Sequence, residues 1–152
     1  MSQDLFQPAD ASAKDLAQQL MASAQHGALA VLKDGAPFVS RIALAPQNGA
    51  FLTLISDLAP HTAALRDHPT ASLMVGDPGR GDPLAHPRLT LSVSASFVDK
   101  SETAETYLQH QPKAKLYIGF ADFHMVHLSI TDGLLNGGFG KAFRLTPEDL
   151  TI

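Results

Sequence analysis

A chain of 152 residues, 45% of them hydrophobic and 17% charged, has the size and balance of one globular domain with a real core. Its formal charge of -4 leaves no basic footprint for nucleic acid or an anionic membrane surface. Cysteine is absent, which excludes disulfides, thiolate metal ligands and a thiol nucleophile, and fits a reduced cytoplasmic setting.

The N-terminal stretch carries acids where a signal peptide needs basic residues and then an apolar run. No apolar segment approaches the roughly 20 residues of a membrane-spanning helix. Residues 1–11 read as a flexible arm, and 12–152 as a single domain. Ser12, with Asp15 three residues on, marks a helix start; Leu16, Leu20, Met21 and Ala24 keep helical spacing, and Gly27 supplies a stop. The first helix is expected over 12–26. Strands follow at 28–33, 38–45 and 51–55, joined by the tight turns Asp34-Gly35 and Asn48-Gly49 into an antiparallel meander. Within 38–45, Phe38, Ser40, Ile42 and Leu44 take one face, and Val39, Arg41, Ala43 and Ala45 the other.

Pro60 opens a short helix over 60–66, where a first-turn proline is acceptable. A strand at 71–75 leads to a loop, 76–87, holding three prolines and three glycines. Residues 89–98 alternate clearly, with Leu89, Leu91, Val93, Ala95 and Phe97 set against Thr90, Ser92, Ser94 and Ser96. Ser101 caps a helix over 101–111, ended by Pro112. Strands at 123–130 and 138–145, with a turn at Asp132-Gly133, complete the chain. The expectation is a mainly β (α+β) fold: a six- to seven-stranded antiparallel split β-barrel with about three short helices.

Chemistry-bearing motifs are sparse. His124 and His127 lie three apart beside Asp122, but on a strand an odd separation sends the two rings to opposite faces, so no metal site is expected. No G-x-S-x-G elbow is present, and the glycines before Phe139 precede no helix that would cradle a phosphate. Arg41 is the exception: a cation in mid-strand among small apolar neighbours needs either solvent or an anionic partner. Ser56, His61 and Thr62, near the start of the short helix, add hydroxyls, an imidazole and helix N–H groups that suit a phosphate.

Taken in order, SRIALAPQNGAFLTLISDLAPHTAALRDHPTASLMV resembles the flavin-binding core of pyridoxamine 5'-phosphate oxidase-like proteins. With PRLTLSV, YIGFADFHMVHL and LLNGGFGKAFRL, it resembles more narrowly the bacterial haem-utilisation branch, over about residues 25–147. The resemblance implies a homodimer with FMN held between subunits. It assigns cofactor contacts to Arg41, Ile42, Leu54, Ile55, Ser56, His61 and Thr62, with Arg41 on the FMN phosphate. The family commonly opens its short helix with an arginine-lysine pair; Pro60 and His61 stand there instead, which weakens the phosphate grip. The basic residues that hold pyridoxal phosphate in true oxidases have no match. Asp122 falls at an acidic position associated with haem binding, but no histidine follows His127 to act as the branch's axial ligand. Three functions remain open at this level. The first is an FMN-dependent oxidoreductase or flavin carrier, the second a haem-binding protein, and the third a non-catalytic dimer for another small phosphorylated ligand.

Overall fold

The computed structural model describes residues 6–138 and 141–151. Its strands are β1 (Gln7–Pro8), β2 (His26–Lys33), β3 (Ala36–Ala43), β4 (Ala45–Gln47), β5 (Ala50–Ser56), β6 (Thr70–Val75), β7 (Arg88–Val98), β8 (Phe123–Asn136) and β9 (Ala142–Leu145). The helices are α1 (Ala11–Ser23), α2 (Pro60–Asp67), α3 (Lys100–His110) and α4 (Pro147–Leu150). The sheet runs β1-β9-β8-β7-β6-β2-β3, and β5, carrying β4, also pairs with β8. Every pairing is antiparallel except β1 with β9.

The two meander turns form as expected. Asp34 and Gly35 both take positive φ (52° and 78°), as do Asn48 and Gly49 (46° and 76°), the backbone that matches the twist of a two-residue hairpin. Beyond Ala43 the chain passes through Leu44 directly into β4, and Thr53 Oγ1 donates to the Ala43 carbonyl at 2.7 Å. That bond runs β5 back beside β3 on the open side of the barrel.

Burial explains the sequence patterns. The alternation in β7 is as expected: Leu89, Leu91, Val93 and Ala95 are buried, and Thr90, Ser92 and Ser96 exposed. Six of the seven residues of β5 are buried, so its run of apolar residues carries no alternation. Phe51 and Ile55 enter the main core, which α1 covers with Ala13, Ala17 and Met21. Leu52 and Leu54 enter a second core with Tyr107, Ala114 and Met125, beneath α3.

Several expectations are corrected. Asp10, not Ser12, caps α1 by accepting from Ala13 N at 2.8 Å, and the helix ends at Ser23. Gly27 is no helix stop; it lies within β2, paired with Ile42. Asp99, not Ser101, caps α3. No turn forms at Asp132-Gly133. Instead β8 continues to Asn136, and the register against β7 skips one residue, Thr131, between the Ser92↔Asp132 and Val93↔Ile130 pairs. A bulge of this kind bends a strand without ending it. Before the bulge β8 pairs with β5, and after it with β9. The helix α4 was not foreseen; Thr146 and Asp149 close it with a capping box. The strand expected from residue 138 is ordered as β9 from Ala142; Phe139 and Gly140, like residues 1–5 of the expected arm, lie outside the described residues.

Candidate functional site

The segment from Ser56 to Thr62 is wound by successive short bonds. Ala59 N donates to Ser56 O at 3.0 Å, Thr62 N to Ala59 O at 3.1 Å, and the Thr62 hydroxyl to Ser56 O. Helix α2 then starts at Pro60, whose fixed φ suits the first turn, and no side chain caps its N-terminus. His61 is buried at 8% exposure and shares a hydrogen bond of 2.9 Å between Nδ1 and Ser40 Oγ on β3. Burial lowers its pKa, so the ring is held neutral. Thr62 is also buried.

Three of the residues singled out in the sequence, Ser56, His61 and Thr62, therefore meet through backbone and hydroxyl bonds beside β3. The Ser56 hydroxyl is already engaged: it donates to Asp122 Oδ2 at 2.8 Å and accepts from Leu58 N at 3.1 Å. Ile42, Leu54 and Ile55 are buried, with Ile42 and Ile55 in the main core and Leu54 in the second, so only their backbones are available to a ligand. Arg41 stands apart. Strand alternation sets it on the opposite face of β3 from Ser40, where it is exposed and has no hydrogen bond or ion pair with a described residue. β3 pairs with β2 along one side only, and at Ala43, its last residue, it meets the middle of β5 through Thr53.

The two histidines of β8 do take opposite faces. His127 lines a groove of about 430 Å³ with Ser129, Ile130 and the Gln47–Ala50 turn. His124 instead faces a cluster that the sequence did not announce. Its Nε2 lies 2.8 Å from Asp57 Oδ1, and its ring meets Phe97 edge-on at 6.2 Å. The Arg66 guanidinium stacks over Phe97 at 4.1 Å and lies 3.8 Å from Asp57. Asp57, Arg66 and Phe97 are far apart in sequence, and no motif spacing marks them. Among the described residues, no three histidines or acids are placed to hold a metal ion.

No family model and no curated protein matches the chain. Among solved structures, one chain 36% identical aligns over 96% of this chain and its own entire length, with a TM-score of 0.84. A heme binding protein from Mycobacterium smegmatis is 31% identical over 93% of this chain, also at TM-score 0.84; this chain spans 61% of its length. A Clostridium acetobutylicum protein related to general stress protein 26 of B. subtilis, of the pyridoxinephosphate oxidase family, aligns over 93% of this chain and 99% of its own. Its TM-score is 0.74 at 12% identity, a likeness of fold alone.

Proposed function

We propose that this chain is a member of the pyridoxamine 5'-phosphate oxidase-like split-barrel superfamily, close to its haem-utilisation branch, and that it binds FMN; the likeness in fold to a general stress protein 26 relative and the 31% identity to a heme binding protein support the reading. In this reading two copies of the chain hold the cofactor between them, and the protein is a cytoplasmic flavin-dependent oxidoreductase or flavin carrier. The observation that carries the reading is the meeting of Ser56, His61 and Thr62 beside the strand that bears Arg41, an exposed cation with no side-chain partner among the described residues. An exposed guanidinium at the edge strand, a buried imidazole and an uncapped helix start together suit a phosphate monoester.

The chain's own residues divide the work. Arg41 would hold the phosphate with its guanidinium. His61, kept neutral by burial, contributes a hydrogen bond rather than a charge. Thr62 and Asp122 hold the Ser56 end of β5, whose backbone borders the ring-binding side. The flavin, when bound, supplies the redox chemistry, and the protein supplies position and electrostatics. With one cation where relatives of this superfamily carry several, binding is expected to be modest. The test is an FMN titration of the full chain, read by visible absorption and flavin fluorescence. Arg41→Ala should weaken FMN by about tenfold to a hundredfold, the loss of one charge-assisted contact, with the oligomeric state unchanged. Unchanged affinity would refute Arg41 as the phosphate anchor.

The 31% likeness to a heme binding protein supports a second reading, haem in place of flavin. A sharp Soret band on haem addition, with no response to FMN, would favour it.

A further inference from the structure

Helix α2 carries His61 and Thr62, and its apolar side is fixed by Ala64 and Leu65 in the main core. What fixes the turn leading into it is polar and centres on one carboxylate. Asp57 N donates to Asp122 O at 2.8 Å, tying the backbone of the turn to the start of β8. Asp57 Oδ1 faces both His124 of β8, at 2.8 Å, and Arg66 of α2, at 3.8 Å. Arg66 in turn lies flat on Phe97 of β7, and Phe97 meets the edge of His124. The four side chains close a ring that joins both ends of α2 to β7 and β8.

We propose that Asp57 is the positioning residue of the candidate ligand site, fixing the Ser56–Pro60 turn through His124 and Arg66. The buried Nε2 of His124 lies within reach of Asp57, but its N–H does not point along the contact. At 2.8 Å it is the shorter of the two contacts that Asp57 Oδ1 makes, and the carboxylate itself is half exposed. The other charged groups do not replace it. Arg66 is 3.8 Å away and half exposed, and Asp122 is engaged by the Ser56 hydroxyl. Lys100, from α3, is committed to the carbonyls of Phe120 and Phe123, and β7 offers only uncharged Phe97.

This inference rests on the flavin reading for its consequence, ligand affinity, but not for its local test. Amide hydrogen exchange on the full chain reads the turn directly, through the N–H groups of Asp57, Ala59 and Thr62, all bonded within the turn or to the loop beside it. Asp57→Asn and His124→Gln should each speed exchange at these amides by about threefold to tenfold at pH 5.5. The β6–β7 ladder should be unaffected. FMN affinity should fall in both variants. Exchange at the three amides that is unchanged in Asp57→Asn overturns the positioning role. Unchanged exchange in His124→Gln overturns the part assigned to His124. Failure of the wild type to bind FMN overturns the flavin reading, and the exchange result alone then decides the role of Asp57.

Discussion

Acid should destabilise this protein through His61. The ring is almost fully buried on α2, bonded to Ser40 Oγ, and its pKa is lowered by desolvation. A histidine whose folded pKa lies below its unfolded one binds fewer protons when folded. Its stabilising contribution is therefore complete above the unfolded value near 6.5 and is lost as pH falls from there toward the folded pKa. Within that window one titrating proton gives a slope of at most about 1.4 kcal/mol per pH unit. The perturbation is His61→Gln, which keeps a polar group able to reach Ser40 but cannot take up a proton. Urea unfolding at half-unit steps from pH 4.5 to 8 gives the stability of both proteins. The substitution itself should cost about 1–3 kcal/mol at pH 8, from imperfect filling and pairing of a buried site. The gap should narrow by up to about 1.4 kcal/mol per pH unit below 6.5, because only the wild type loses stability there through this group. Parallel curves across the range would show that His61 titrates alike in the folded and unfolded chains, and the burial argument would fail.

Two further predictions concern the core. A methyl group added at Gly27 would sit 2.9 Å from the Met74 carbonyl and 2.9 Å from Leu73 Cδ1, and the carbonyl cannot yield without distorting β6. Gly27→Ala should cost about 1–3 kcal/mol, less up to about 1 kcal/mol recovered from unfolded-chain entropy, and lower the urea midpoint. A midpoint at or above the wild type would refute the close approach of β2 and β6. Burial pushes the Tyr107 phenol up to about 12, so folding favours the neutral form, and its contribution holds below pH 10 and is lost between about 10 and 12. Ultraviolet titration should find one tyrosine ionising late, and Tyr107→Phe should abolish that late step and reduce the alkaline loss of stability; a single tyrosine transition near pH 10 would contradict it.

The fold was legible wherever local chemistry acts alone. Asp34-Gly35 and Asn48-Gly49 announce their turns because aspartate, asparagine and glycine tolerate the positive φ that two-residue hairpins need. The alternation of β7 was readable because one face meets the core and the other does not. Asp132-Gly133 failed for the opposite reason. It has the composition of a turn, but β7 on one side and β9 on the other hold it extended, so long-range pairing outweighs a local preference. Both caps failed by two residues, since Asp10 against Ser12, or Asp99 against Ser101, is decided by where the preceding chain arrives.

The candidate site divides along the same line. His61 and Thr62 could be singled out because they stand close to Ser56 in sequence, and the chain between them has no room to do anything but turn. Ser40, the partner that makes His61 a fixed rather than a wandering imidazole, was assigned only a strand face; nothing in its spacing announces a bond across 21 positions. Asp57, Arg66, Phe97 and His124 escaped entirely as a group. His124 drew attention only as a metal candidate with His127, the other three read singly as ordinary surface or core residues, and the four become one feature only when β5, α2, β7 and β8 are stacked. Arg41 shows the reverse limit. Its isolation was plain from the sequence, and folding leaves that isolation intact: it is still a cation without a described partner on the exposed face of an edge strand. An exposed guanidinium is satisfied by water in the single chain and can exchange that water for an anionic ligand, which is what the Arg41→Ala titration reads.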